Sequence, residues 1–235
     1  MTLESLLAAH LAYLLSWDPD RPEDSDLAMY RSGVPHWTLN GVVRVRDHDL
    51  DDAVAEASSH FAGLPWLWWV GPDSDASVAD GLLARGGTEL ARLPVMTIAL
   101  DTFVVPDGVS VAEDVAEFVT AYAAVSEIRP EGVPVAVERE LSLDVLRFAA
   151  RVDGRIVGTA EAWISHDVVT VYFVGTQPGF RRQGIGTAVT AAALAAGRER
   201  GCRLGALTSS AMGEPVYRRM GFETVAEMRL FSLSA

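Results

Sequence analysis

The run Arg181-Arg182-Gln183-Gly184-Ile185-Gly186-Thr187 constrains this sequence more than any other segment. It follows an apolar run typical of a β-strand, residues 168–174, and it precedes an alanine-rich segment, residues 187–198, that predicts a helix. Glycines at such a junction let the backbone approach a ligand closely, and the first N–H groups of the helix point outward. Because a helix N-terminus favours negative charge, the run predicts a phosphate or pyrophosphate site.

Three kinds of glycine-rich phosphate site compete for this run. A P-loop requires a lysine after its last glycine, but all 19 basic residues of the chain are arginines. A Rossmann turn has Gly or Ala where this chain has Val189, and it requires an acidic residue at the end of the next strand, where residues 208–210 read Thr-Ser-Ser. The third pattern, R-x-x-G-x-G after a strand, is matched by Arg181, Gly184 and Gly186. A plain tight turn is the remaining alternative, but it would not require two arginines in so acidic a chain.

A tyrosine about thirty residues further on gives the pattern a more specific meaning. Tyr217 lies in the segment Glu214-Pro-Val-Tyr-Arg-Arg-Met-Gly-Phe222, which predicts a short helix that ends at Gly221. Together with the R-x-x-G-x-G turn, this segment resembles the GCN5-related N-acetyltransferase (GNAT) superfamily over residues 105–235. The resemblance implies an α/β (α+β) fold with a mixed, mostly antiparallel central sheet flanked by helices. It also implies acetyl-CoA as the acyl donor and no metal.

The resemblance assigns roles to particular residues. The turn would hold the pyrophosphate of acetyl-CoA, and backbone groups at the end of the preceding strand would polarise the thioester carbonyl. Tyr217 would donate a proton to the leaving thiolate, although packing on its helix is the alternative for this side chain. The expected cofactor-binding residues are Val174, Gly175, Thr176, Arg181, Arg182, Gln183, Gly184, Ile185, Gly186 and Thr187.

No family motif identifies the base that takes a proton from the acceptor amine. Glu161 is the candidate, because a carboxylate within the apolar strand segment 158–163 requires an explanation and burial would raise its pKa to a useful value. A water-mediated base, or no base, is the alternative.

The order strand, helix, strand, helix, strand, strand occurs over residues 42–100 and again over residues 168–233. We therefore expect a tandem arrangement, with a partial GNAT-like lobe at residues 1–104 and a complete cofactor-binding lobe at residues 105–235. In the first lobe the segment that corresponds to the glycine-rich turn, residues 45–52, has no glycine and five acidic or imidazole side chains. Such a turn would repel a pyrophosphate, so the first lobe should not bind CoA.

Composition restricts the partners and the location. The net charge of −13 argues against nucleic acid or an anionic membrane as a partner and favours a cationic, amine-bearing substrate. No apolar segment is long enough to span a bilayer, and residues 1–15 lack the features of a signal peptide. Cys202 is the only cysteine and is expected to be a small buried side chain. These features together predict a cytoplasmic protein.

Three functions are compatible with the sequence. The first is direct transfer of an acetyl group from acetyl-CoA to a primary amine of a small-molecule or amino-acid-like acceptor. The second is a non-catalytic acyl-CoA-binding or sensor protein, and the third is an enzyme similar to mycothiol synthase, matched at the level of the fold alone. The sequence leaves open the acceptor, a longer acyl donor and whether the protein forms a homodimer.

Overall fold

The computed structural model describes residues 2–20, 25–101 and 103–233, and these residues contain seven α-helices and ten β-strands. The helices are α1 (Leu3–Ser16), α2 (Leu50–His60), α3 (Val78–Ala84), α4 (Val115–Ala123), α5 (Val133–Ser142), α6 (Ile185–Glu199) and α7 (Glu214–Met220). The strands are β1 (Leu27–Arg31), β2 (Asn40–Val45), β3 (Leu67–Val70), β4 (Thr88–Ala99), β5 (Val109–Val111), β6 (Val145–Val152), β7 (Arg155–Ser165), β8 (Val168–Thr176), β9 (Leu204–Thr208) and β10 (Glu223–Ser232).

All ten of these strands join one sheet, in the order β1-β2-β3-β10-β4-β9-β8-β7-β6-β5. Only the pairs β2–β3 and β8–β9 are parallel, and the other seven neighbouring pairs are antiparallel. This confirms the prediction of a mixed, mostly antiparallel sheet flanked by helices.

The strand directions repeat on the two sides of the central β10–β4 pair. Outward from that pair, each side continues with an antiparallel, then a parallel, then an antiparallel neighbour. The last strand of the chain, β10, lies between β3 and β4, so it pairs with strands from the first half of the sequence. The two segments that the sequence relates to each other therefore share one sheet.

Helices cover both faces of the sheet. We call the face covered by α1, α4 and α5 the front face, and the face covered by α2, α3, α6 and α7 the back face. Neighbouring residues of one strand pack on opposite faces, as Trp69 does on the front and Trp68 on the back. Both indole rings are buried, as expected for core residues.

Two predicted pairs of strands each form one continuous strand. The sequence predicts a break near Pro94, but β4 continues through it. The carbonyl of Pro94 accepts a hydrogen bond from the Ser209 N–H on the β9 side, and the pairing of β4 with β9 begins one residue later, at Val95. The N–H that proline lacks is therefore not required by a neighbouring strand. Similarly, β10 joins the segments 222–226 and 228–233, with a register shift between Thr224 and Ala226.

The sequence of residues 17–38 is rich in Asp and Pro and predicts irregular structure, but this prediction is wrong in part, because the segment contains β1. The strand is short and lies at the edge of the sheet, where it pairs only with β2 among the described strands. Only Ala28 and Tyr30 of its five residues are buried, and the other three are partly or fully exposed, as is common for a strand at the edge of a sheet.

Glycines allow α6 to lie unusually close to the back face. A side chain at Gly158 would meet Ile185, one at Gly197 would meet Val169, and one at Gly205 would meet Leu194. The helix surface that faces the sheet is largely alanine, which also shortens the distance between the helix and the strands. This close packing fixes the beginning of α6 next to the end of β8.

Candidate functional site

The predicted phosphate turn lies between the end of β8 and the beginning of α6, and α6 begins two residues earlier than the sequence predicts, at Ile185. We call residues 181–187 the cofactor turn. Arg182 (φ 63°) and Gly184 (φ 80°) both adopt left-handed backbone conformations, which turn neighbouring N–H groups toward one side. Gly184 is the N-cap of α6, and no side chain caps the helix there. The first N–H groups of α6 are therefore available to an anion.

The polar side chains of the cofactor turn are exposed. Arg181, Arg182 and Gln183 all face solvent, and the Arg181 guanidinium donates a hydrogen bond from Nε to the Thr176 carbonyl at 3.2 Å. This contact holds one cation beside the end of β8. The structure thus brings together the predicted cofactor-binding residues from Thr176 to Thr187, and it places the open N-terminus of α6 next to two positive charges.

A β-bulge interrupts β8 immediately before the turn. The register between β7 and β8 shifts so that Glu161 lies opposite Tyr172 whereas Thr159 lies opposite Gly175. Phe173 has a φ of 45°, and its carbonyl accepts a hydrogen bond from the Thr159 hydroxyl at 2.9 Å. An extra residue in one strand leaves backbone groups without partners in the ladder, and this bulge lies where the sequence predicts backbone donors near Val174.

On its other side β8 separates from β9. The two parallel strands pair only from Val168 with Leu204 to Thr170 with Ala206. Beyond these residues β9 pairs only with β4, where Thr208 lies opposite Val95, and β8 continues alone toward the cofactor turn. We call the gap between residues 171–176 of β8 and residues 207–208 of β9 the strand opening.

Tyr217 lies close to this region. It is buried on α7 next to Phe222, with ring centroids 5.6 Å apart, and it packs with residues of α6 on the back face. Burial raises the pKa of the Tyr217 phenol to about 12, and the neighbouring Thr190 of α6 limits the rise. The phenol is therefore protonated at neutral pH, which is the form that a proton donor requires.

Glu161 is not at the strand opening. Its side chain is fully buried on the front face of β7, and β8 separates it from the gap. The Tyr13 hydroxyl donates to its Oε2 at 3.5 Å, and burial together with the nearby Glu140 carboxyl raises the pKa of Glu161 well above its ordinary value. Glu140 is itself buried and paired with Arg147 at 2.8 Å.

The sequence did not indicate the part that α1 has in this region. The helix lies along the front face of β8, and the Tyr13 ring stacks on the Tyr172 ring with centroids 3.5 Å apart. His10 Nδ1 is 3.0 Å from the Tyr172 hydroxyl, and Trp17 packs against Phe173 at the bulge. A histidine within this mostly apolar helix is a sequence signal for a buried polar contact, but it does not identify Tyr172 as the partner.

Two cavities differ in their relation to the cofactor turn. A small cavity of about 10 Å³ lies at the point where β8 and β9 separate, and Thr170, Ala206 and His10 are among its lining residues. A wider groove of about 580 Å³ is lined by α1, by Arg44 of β2 and by His166, which precedes β8. Since the cofactor turn follows β8, this groove lies at the opposite end of that strand.

The corresponding turn before α2 differs from the cofactor turn. Asp49 is the N-cap of α2, and its carboxylate accepts hydrogen bonds from the N–H groups of Asp51 at 2.9 Å and Asp52 at 3.1 Å. The N-terminus of α2 is therefore already occupied by a negative charge of the chain itself.

Three further features concern membrane-spanning helices, metal ligands and the cysteine. None of the helices there is long and apolar enough to cross a membrane, and no group of three or more His, Cys, Asp or Glu side chains in residues 2–20, 25–101 and 103–233 is arranged to hold a metal ion. Cys202 is buried, as expected, and burial raises the pKa of its thiol, which argues against a reactive thiolate.

The sequence and the fold are similar to known proteins. Residues 117–222 match the profile of the acetyltransferase (GNAT) family. A GCN5-related N-acetyltransferase from Kribbella flavida is 22% identical to this chain, with a TM-score of 0.72. The match covers 100% of this chain and 97% of the Kribbella chain. A protein of unknown function from Staphylococcus epidermidis is 16% identical with a TM-score of 0.63, covering 91% of this chain and 93% of its own. A tandem GNAT protein from the clavulanic acid biosynthesis pathway is 16% identical with a TM-score of 0.59, covering 87% of this chain and 77% of its own.

Because each of these three structures is less than 25% identical to this chain, their similarity establishes a shared fold and nothing beyond it. No curated protein matches the sequence.

Proposed function

We propose that this chain transfers an acetyl group from acetyl-CoA directly to a primary amine of a small-molecule or amino-acid-like acceptor, a proposal supported by the match of residues 117–222 to the profile of the acetyltransferase (GNAT) family. The family supports acyl transfer from an acyl-CoA. The amine acceptor is the finer part of the proposal, and it is supported by the acidic net charge of −13, which favours a cationic substrate.

One observation carries the proposal: the uncapped N-terminus of α6 lies at the end of β8, next to a strand opening. The pyrophosphate of acetyl-CoA would accept hydrogen bonds from the N–H groups of residues 183–187, with Arg181 and Arg182 adding positive charge. The thioester would lie along the strand opening, where the backbone groups of Val174, Gly175 and Thr176 would hydrogen-bond its carbonyl. Preformed donors of this kind stabilise a transition state by about 3–4 kcal/mol.

Tyr217 is the proposed proton donor to the thiolate that leaves. Its raised pKa keeps it protonated over the whole physiological range, and it packs against α6, the helix that would hold the cofactor. When the amine nitrogen bonds to the acetyl carbon, the C–S bond breaks and its electron pair stays on sulfur. The phenol proton then neutralises that charge.

Glu161 remains the base suggested by the sequence, but its buried surroundings are unfavourable for a group that must accept a proton. A base must be deprotonated, whereas burial and Glu140 favour the protonated carboxyl. The test is the variant Glu161→Gln, assayed for the rate of thiol release against pH. Loss of one limb of the pH–rate profile would support a role as base, and an unchanged profile would remove it.

We propose that the first lobe, residues 1–104, contains no cofactor site and instead supports the sheet. The Asp49 carboxylate occupies the N-terminus of α2, and Asp51 and Asp52 add negative charge to the first turn of that helix. Calorimetric titration with acetyl-CoA should therefore give one binding site per chain. Two sites per chain would contradict this division.

A non-catalytic acyl-CoA-binding protein is the second candidate, and one observation favours it. Helix α1 covers the front face of β8, and the cavity where β8 and β9 separate holds only about 10 Å³. Thiol release with a panel of primary amines separates the two candidates. Binding of acetyl-CoA with turnover of at least one amine supports the transferase, binding without turnover supports the sensor, and no binding by calorimetry removes both.

A further inference from the structure

The cavity at the base of the strand opening contains two buried polar atoms without partners. His10 is 6% exposed and Thr170 is 4% exposed, and both side chains line this cavity. His10 Nε2 has no hydrogen-bond partner, and Thr170 Oγ1 has none with good geometry, since it only lies near enough to the Tyr172 hydroxyl to oppose the rise in the pKa of that phenol. Buried donors and acceptors are rarely left unpaired in proteins, so such a pair in one cavity indicates a polar occupant.

The size of the cavity restricts this occupant to one small molecule. Its volume of about 10 Å³ is near the minimum for a single water, which needs two or more polar partners. His10 Nε2, Thr170 Oγ1 and the neighbouring residue Thr208 supply polar groups, and the rest of the lining is mostly apolar. One water held between a histidine and a threonine therefore fits the cavity.

We infer that His10, through a water bound between its Nε2 atom and Thr170 Oγ1, accepts the proton that the acceptor amine releases during acetyl transfer. The inference rests on the proposed function. It assigns to α1 a residue that neither the R-x-x-G-x-G turn nor Tyr217 supplies.

The position and protonation state of the imidazole suit this role. His10 Nδ1 is bonded to the hydroxyl of Tyr172, the residue immediately before the bulge at Phe173, so the ring is held beside the strand opening. Burial lowers the pKa of His10 to about 4, so the imidazole is neutral at neutral pH and acts as a weak base that holds a proton only transiently. The rings next to the imidazole are those of Trp69 of β3 and Tyr172 of β8, Met228 of β10 lines the same cavity, and none of these side chains is charged.

The proton steps balance as follows. The neutral amine attacks the acetyl carbonyl, the N–C bond forms, and the nitrogen becomes far more acidic than in the free ammonium ion. The nitrogen passes its proton to the bound water, which gives one of its own protons to His10 Nε2. The C–S bond then breaks, sulfur keeps the electron pair, and Tyr217 protonates it. Exchange with solvent afterwards removes the proton from His10 and returns one to Tyr217.

The test compares His10→Gln and Thr170→Val with the matched control His60→Gln, which changes an exposed histidine at the end of α2. The measurements are kcat for thiol release at saturating amine and the Kd for acetyl-CoA by calorimetry. We expect His10→Gln to lower kcat roughly 100-fold with an unchanged Kd, because general base catalysis contributes about 10²–10⁴-fold. Thr170→Val should lower kcat less, and the control should not change it.

A fourth variant, His10→Ala, guards against a purely structural effect, because free imidazole should restore part of its lost rate. An unchanged kcat in His10→Gln would overturn the inference. The inference would also be overturned if kcat falls, imidazole does not restore it and the affinity for acetyl-CoA falls as well. Binding of acetyl-CoA to the unmodified protein without turnover of any amine would also overturn it. Failure of the unmodified protein to bind acetyl-CoA would instead remove the proposed function on which the inference rests.

Discussion

The first turns of α2 and α6 hold matching positions in the order of elements, yet they offer opposite surfaces to an anion. Each helix follows the first strand of a parallel pair, β2 before α2 and β8 before α6. At α2 the Asp49 carboxylate occupies the N-terminal N–H groups, whereas at α6 the N-cap is Gly184, which has no side chain. One residue at the N-cap therefore determines whether the helix N-terminus is open to an anion or is already occupied by a carboxylate of the chain.

The most disruptive test gives α6 the N-cap chemistry of α2. Gly184→Asp places a carboxylate where the pyrophosphate would bind, and two unit charges about 4 Å apart repel by about 4 kcal/mol at an effective dielectric constant near 20. We expect acetyl-CoA binding to weaken roughly 100-fold or more, measured by calorimetry. The control is Gly63→Asp, because Gly63 has a φ of +81°, close to the +80° of Gly184, and a side chain at either position meets open space. Equal affinity in Gly184→Asp and the unmodified protein would contradict the location of the site.

The second test asks whether the α7 helix beside α6 contributes chemistry or only packing. Tyr217→Phe keeps the ring that packs on Phe222 and removes the hydroxyl that is the proposed proton donor. We expect kcat to fall by about 100-fold with an unchanged Kd for acetyl-CoA. Since burial raises the pKa of Tyr217 to about 12, the phenol stays protonated below that pH, and no loss of activity between neutral pH and about pH 10 should come from its ionisation. A kcat equal to that of the unmodified protein would leave Tyr217 as a packing residue.

The third test measures the charge beside the cofactor turn. Arg181→Ala removes an exposed cation that is held against Thr176. Exposed ion pairs contribute about 0.2–1 kcal/mol, so we expect acetyl-CoA affinity to fall by up to about fivefold, with a smaller dependence on salt concentration than in the unmodified protein. The control Arg31→Ala removes an exposed arginine from the edge strand β1. A similar loss of affinity in both variants would mean that net charge alone matters.

The mildest test removes the cap from α2. Asp49→Ala should lower the free energy of unfolding by about 1 kcal/mol, as N-cap losses typically do, and should leave acetyl-CoA affinity unchanged. Denaturant unfolding and calorimetry measure the two quantities. Asp52→Ala is the control, because Asp52 is exposed in the same first turn and does not cap the helix with its side chain. A second molecule of acetyl-CoA bound to Asp49→Ala would show that the cap alone keeps the first lobe empty.

The strand, the turn and the helix around residues 181–187 were predictable because their sequence signals are local. Two glycines, the strand before them and the helix after them depend on backbone geometry within a few residues. The hairpin through Asp153 and Gly154 was predictable for the same reason, since both residues adopt left-handed conformations in the structure.

Features that depend on distant contacts were not predictable. Proline usually ends a strand, but Pro94 is tolerated because β9 does not pair with β4 at that residue. Glu161 was expected near the reacting groups, but it lies behind β8, where distant residues, Tyr13 of α1 and Glu140 of α5, surround its carboxyl group. The contact of His10 with Tyr172 joins residues 162 positions apart, so no periodic pattern could indicate it. Tertiary packing decided each of these outcomes.

The position of β10 has a consequence for how the chain folds. Until residues 223–232 have been synthesised, β3 and β4 lack the strand that joins them, and each has an unpaired edge that could bind another chain. The first half of the chain therefore depends on the second to complete its sheet. We expect a single cooperative unfolding transition for the whole chain, and slow folding because the contacts that close the sheet are far apart in sequence.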